Sequence, residues 1–184
     1  MTMAMSFPEG DAQKVPFAGI LPGAPAPYVL RSGEGEKSLV FDQLFRILAS
    51  GDETDGQYGA WTMKAPEGDR IPAHRHLRTH EFFYVIDGAM SVWMDDGADY
   101  HSKQTLEPGD FAFIPAGLVH AFKAERNAAC FGAGTAGFER FFHAIGQKTD
   151  LDEPHGVFVP DIAVMRAAGQ KYATEFLPDF AFRD

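Results

Sequence analysis

His74 and His76 stand one residue apart in GDRIPAHRHLRTHEFFYVIDG, residues 68–88, and Glu81 follows in the same stretch. In a strand, residues i and i+2 face the same side. Both imidazoles of IPAHRH therefore turn inward together and Arg75 turns outward. Glu81 opens the next apolar run, EFFYVI, after the short loop LRTH, and a neighbouring strand would bring its carboxylate beside both rings. Imidazoles and a carboxylate on one side of a cation, with positions left open, form the donor set of open catalytic metal sites, non-haem oxygenases among them. A second stretch, GDFAFIPAGLVH at 109–120, offers a further ligand. There Gly109 starts a strand, Pro115 and Gly117 shape a turn, and His120 is the expected partner across the barrel. Burying an ionised carboxylate among imidazoles without a cation or full pairing is costly, which favours a metal site over a metal-free one.

The elements that must hold these residues are short. From 38 to 134 the apolar runs LFRILA, QYGAWTM, EFFYVI, MSVWM, YHSKQTL, DFAFIP, HAFKAE and ACFG alternate with turn signals. The turn signals include DG at 87–88, DDG at 95–97 and EPGD at 107–110, and the whole is an all-β pattern. Gly88 is expected in a tight hairpin turn. The tail changes period: Phe138, Phe141, Phe142 and Ile145 predict a helix ending at Gly146. A second helix is expected from Asp161, with Ile162, Met165 and Tyr172 on one stripe. Residues 1–37 are rich in Gly and Pro and read as an arm lying over the domain. The division is thus an arm (1–37), a β-barrel (38–136) and a helical extension packing on it (137–184), one domain overall.

Phe83 and Val85 share the parity of Glu81, and Phe122 shares that of His120, so all three should face the interior. They are core residues or, with Tyr58 and Trp61, the lining of an apolar pocket with a few polar groups, as a flat aromatic substrate requires. His80 has the opposite parity to Glu81 and belongs to a loop or the surface. His101, His143 and His155 lack partners in sequence and are expected in solvent.

The chain has 184 residues, 45% hydrophobic and 23% charged, a length and composition that suit one globular domain with a substantial core. A net charge of −10 lacks the basic footprint of a nucleic-acid binder and argues against anionic membrane surfaces. A single cysteine, Cys130, precludes an intrachain disulfide, fits a reducing cytoplasm and is expected as a buried structural thiol. The N-terminus lacks the basic and apolar regions of a signal peptide, and no apolar span long enough for a membrane helix is present. No Ser-His-Asp order, phosphate loop or Cys-x-x-C is visible.

The two histidine stretches resemble the paired motifs of the cupin family. The first, G-x5-H-x-H-x4-E-x6-G, is matched in full by Gly68, His74, His76, Glu81 and Gly88. The second, G-x5-P-x-G-x2-H-x3-N, is matched by Gly109, Pro115, Gly117 and His120, with Ala124 in place of the final Asn, which puts the local turn after His120 in question. The resemblance implies a cupin jelly roll, a double-stranded β-helix, with the N-terminal arm and short C-terminal helices added to it. It also implies one divalent transition metal per chain on His74, His76, Glu81 and His120.

PGAPAPYVL, IPAHRH, EPGDFAFIP, FERFF and YATEFLPDF make the chain similar to the single-cupin bacterial quercetin 2,3-dioxygenases. That likeness implies a flavonol and O2 as substrates, ring cleavage with release of carbon monoxide, and a phenolic ester as product. Glu81 would be the catalytic base. Such enzymes use several ions; nickel or iron is favoured here, with cobalt, manganese or copper as alternatives. The other readings are a different cupin enzyme (another phenolic dioxygenase, an isomerase or a lyase) or a non-catalytic cupin that binds a phenolic ligand through its metal. A homodimer is expected, because a small barrel leaves sheet edges exposed and the arm can cover a neighbour's edge.

Overall fold

The computed structural model describes residues 19–135 and 137–183. The strands are β1 (Glu36–Val40), β2 (Gln43–Ala49), β3 (Tyr58–Ala65), β4 (Arg70–His76), β5 (Glu81–Asp95), β6 (His101–Leu106), β7 (Phe111–Ile114) and β8 (Val119–Thr135). There follow α1 (Glu139–Ile145), β9 (Gln147–Lys148), α2 (Ile162–Lys171) and β10 (Thr174–Phe176). One layer of the jelly roll runs β10-β4-β8-β3-β2-β1-β9, and the other is built on β5, which pairs with β6, β7 and β8. β8, 17 residues long, joins the layers by pairing with β3, β4 and β5.

Alternation sets the inner face. Trp61, Met63 and Ala65 of β3 are buried while the residues between them are not, the period expected of a sheet with one solvated side. Phe138, Phe141, Phe142 and Ile145 all join the core beneath α1. Phe142 stacks on Phe45 at 3.8 Å between ring centroids and meets Trp61 edge-on at 5.1 Å. Aromatic contacts of this kind add stability beyond the area they bury.

Several expectations change. The Asp-Gly pair at 87–88 is not a hairpin turn, because β5 runs straight through it. Its register against β8 shifts between Val85 and Met90, which marks a bulge. Gly88 has φ +78, and a Cβ there would lie 1.8 Å from the Asn127 carbonyl oxygen. The glycine serves the bulge and the close approach of β8, a use of positive φ that a turn shares. Ala124 is not a turn either: it lies inside β8 and exchanges backbone hydrogen bonds with Gly68 and Asp69 at 2.8 and 2.9 Å.

α1 ends at Gly146 as expected, with the glycine in an extended conformation. Asp161 caps α2 by accepting from the Ala163 N–H at 2.7 Å. Ile162 lies outside the expected stripe, 74% exposed, while Met165 and Tyr172 pack on the core. His143 is half-buried rather than solvated, with its side chain turned inward; its ring nitrogens meet Ser38 Oγ at 2.7 Å and Glu36 Oε2 at 2.9 Å. The extension also holds two short strands, β9 and β10, that the helical reading passed over.

Of the arm, residues 1–18 lie outside the described residues. The part from 19 onward rests on its own barrel: Leu21 joins the core, and the Tyr28 hydroxyl donates to the Leu48 carbonyl at 2.6 Å. Among the described residues no helix is long and apolar enough to cross a membrane. Gly88→Ala should lower stability by at least about 2 kcal/mol, through positive-φ strain and the clash with Asn127. Thermal unfolding would then fall by roughly 4 °C or more. An unchanged midpoint would contradict the bulge assignment.

Candidate metal centre

β4 and β8 pair antiparallel with His74 directly opposite His120. The next strand outward, β10, pairs with β4 and sets Thr174 opposite His76 and Phe176 opposite His74. His120 therefore does not come from across the barrel; it is a neighbour in the same layer. Glu81 is the residue that crosses, since β5 pairs with β8 and not with β4. Its Oε2 lies 3.3 Å from His76 Nε2 and 3.5 Å from His120 Nε2. One ligand nitrogen from each histidine falls within 4.8 Å of the others, and all four side chains are buried.

The opposite ring nitrogens are held from outside. His74 Nδ1 lies 2.8 Å from the Pro72 carbonyl oxygen and His120 Nδ1 lies 3.0 Å from that of Leu118. A carbonyl oxygen only accepts, so each Nδ1 carries the proton and a neutral ring turns its Nε2 lone pair inward. His76 Nδ1 lies 3.0 Å from Thr174 Oγ1, whose hydroxyl faces the Tyr172 carbonyl at 3.5 Å. With that hydroxyl donating outward, its oxygen accepts from His76 Nδ1.

Burial, then the neighbouring His120 and His76, hold the His74 imidazole well below its usual range. Burial alone would raise the Glu81 carboxyl, and only positive charge or a proton at the His120 and His76 nitrogens beside its oxygen draws it down to about 2; with the Nε2 lone pairs facing inward, a bound cation is what fills that place. His76 Nε2, His120 Nε2 and Glu81 Oε2 are buried without a hydrogen-bond partner. Unmet buried polar atoms each cost about 1–3 kcal/mol. Three of them converging, with tautomers that aim lone pairs inward, fit a cation.

His74, His76 and Glu81 line an apolar cavity with a free volume of about 90 Å³. Trp61, Phe83 and Phe122 line it. Val85 and Tyr58 do not: Val85 is packed solidly in the core with no exposure, and Tyr58, at the outer end of β3, is 49% exposed. The Cys130 thiol at the wall is pushed up to about 12 by burial and is inert at neutral pH. The reading from parity missed Phe138, Phe141, Phe142, Met165 and Phe176, which come from the C-terminal elements, and Gln43 from β2.

A family model described as "Cupin domain" matches residues 61–131. The chain carries a cupin domain. Over 128 residues it is 40% identical to the quercetin 2,3-dioxygenase of Bacillus subtilis, covering 68% of this chain and 36% of that protein. It is 37% identical over 59 residues to a putative germin-like protein of Oryza sativa, covering 32% of this chain and 28% of that one. The chain thus spans about a third of the length of these curated relatives. Among solved structures, KdgF of a Halomonas species superposes with a TM-score of 0.50 at 21% identity, covering 60% of this chain and 94% of that one. An oxalate decarboxylase of B. subtilis superposes with a TM-score of 0.52 at 19% identity, covering 64% and 32%. At such identities the superpositions speak for the fold alone.

In this cupin the three-histidine cluster implies a divalent metal. Thr174 is the supporting residue that the motifs could not reveal, because it lies 98 positions from His76 and only the β10–β4 pairing joins them. Thr174→Val keeps the shape and removes the acceptor that fixes the His76 tautomer. Divalent-metal affinity, measured by competition with a chelating dye, should fall about 10- to 100-fold with the fold retained. Unchanged affinity would contradict this role.

Proposed function

We propose that this cupin is a metal-dependent flavonol 2,3-dioxygenase of the quercetinase type, with His74, His76, Glu81 and His120 as the metal ligands. The observation that carries the reading is the convergence of three imidazoles and one carboxylate on one point, with His74, His76 and Glu81 at the wall of an aromatic-lined cavity. The likeness to the B. subtilis enzyme supports it. Nickel or iron is the favoured ion, and the lone buried Cys130 supports a cytoplasmic setting.

A divalent ion held there would act as a Lewis acid that stabilises the oxyanion of the flavonol 3-hydroxyl. Glu81 accepts that hydroxyl's proton at its carboxylate as general base. The aromatic walls hold the flat ring system and keep water from it. O2 then cleaves the heterocyclic ring, leaving carbon monoxide and a phenolic ester. A three-ring flavonol needs more room than the cavity offers in this conformation. Met165 and Phe176 also line an outer groove, so their displacement opens the way in; the unbranched Met side chain suits this. We further propose a homodimer; a monomer by light scattering of the full chain would remove that idea.

The function is tested by following O2 uptake and carbon monoxide release with quercetin after reconstitution with each divalent ion. Uptake without carbon monoxide, or no uptake with any ion, would overturn it. Glu81→Gln keeps volume and one oxygen while losing the charge and the proton acceptor. Turnover at full metal occupancy should fall about 10²- to 10⁴-fold, and the anaerobic complex should absorb closer to the protonated flavonol. Near-wild-type turnover would show that Glu81 is not the base.

A further inference from the structure

Gln43 opens β2 with its side chain fully buried, and it lines the same cavity. β2 is three strands from β4 in the layer order, with β3 and β8 between them. Gln43 is therefore a polar group apart from the metal cluster in a lining that is otherwise almost wholly apolar. Its Nε2 donates to Asp69 Oδ2. A carboxylate accepts and does not donate, so this bond settles which way the amide faces and leaves Oε1 as the free end. Oε1 is buried and has no hydrogen-bond partner.

Asp69 is itself held in place. Its carbonyl accepts from the Ala124 N–H at 2.9 Å, beside the Gly68–Ala124 bond at 2.8 Å, at the start of the strand that carries His74 and His76. A buried amide locked in one orientation with its acceptor unused is costly in the protein alone. A ligand that donates a hydrogen bond at that point removes the cost.

We propose that Gln43 Oε1 accepts a hydrogen bond from a second aromatic hydroxyl of the ligand, distinct from the one at the metal. The cavity thereby selects polyhydroxylated flat aromatics over their deoxy analogues, with Asp69 as the positioning residue. This deepens the flavonol reading by naming the ligand feature that is recognised. It does not require ring cleavage. A site built to hydrogen-bond a hydroxyl rejects the analogue lacking it, because its own polar group is then left unmet.

The test is anaerobic binding to the metal-loaded protein, read by quenching of the fluorescence of Trp61, which lines the cavity. Two pairs are compared: quercetin against 3-hydroxyflavone, and luteolin against flavone, the second pair lacking the 3-hydroxyl altogether. The wild-type protein should favour the hydroxylated member of each pair by about 10- to 100-fold. Gln43→Met should reduce both preferences to within about threefold while metal content stays unchanged. Equal binding within the pairs by the wild-type protein, binding of none of these compounds, or preferences that survive Gln43→Met would each overturn the inference. Should Gln43→Met fail to fold, Asp69→Asn serves instead. An asparagine offers both donor and acceptor, the Gln43 amide is free to turn, and the preferences should fall; unchanged preferences would again overturn it. Preference without carbon monoxide release would sink the dioxygenase reading alone.

Discussion

The carbonyl oxygens of Pro72 and Leu118 accept hydrogen bonds and cannot donate them, so the Nδ1 atoms of His74 and His120 that reach them carry the protons. Each carbonyl lies two residues before its histidine, and the strand backbone itself sets the tautomer. The Nε2 lone pairs are then left facing inward, where Glu81 arrives from β5. Such a cluster is unfavourable to bury on its own. Burial works against charge on His74 and against the ionised form of Glu81, and several inward atoms have no partner. The barrel tolerates this because a large aromatic core surrounds it. Local cost at a site, supported by consistent packing elsewhere, is the pattern expected where a fold carries chemistry.

The long strand β8 makes the geometry possible. It places His120 opposite His74 on one partner and runs beside β5 on another, so one strand ties the histidine layer to the layer that bears the carboxylate. Glycine at position 88 lets the two strands approach where their register slips. The C-terminal elements then finish the site. Phe138 meets His76 at 4.2 Å between ring centroids, Phe176 lies over His74 at 6.1 Å, and Thr174 holds His76. Removal of these elements would leave a barrel with its ligands exposed on one side and one imidazole free to turn.

What could be read in advance followed from local periodicity. His74 and His76 share a face because of strand parity, and Glu81 and His120 sit at fixed spacings in short motifs. The inward parity of Phe83 and Phe122 was equally local. The failures are long-range. Thr174 and Gln43 are ordinary polar residues whose roles exist only through pairing with distant strands. His143 looked solvated because Glu36 and Ser38, its partners, lie more than a hundred positions away. The Asp-Gly pair satisfied a local rule for a hairpin, yet tertiary pairing with β8 used the same backbone freedom for a bulge. Val85 shows the limit of parity itself, which marks the inner face but does not distinguish a cavity wall from solid core.

The convergence of three imidazoles and one carboxylate on a single ion is most directly measured by X-ray absorption at the metal edge of zinc-loaded protein. Three imidazole rings bound through nitrogen at about 2.0–2.1 Å, completed by oxygen donors, are expected. Fewer than three imidazoles in that coordination shell would contradict the assignment of His74, His76 and His120 as one site.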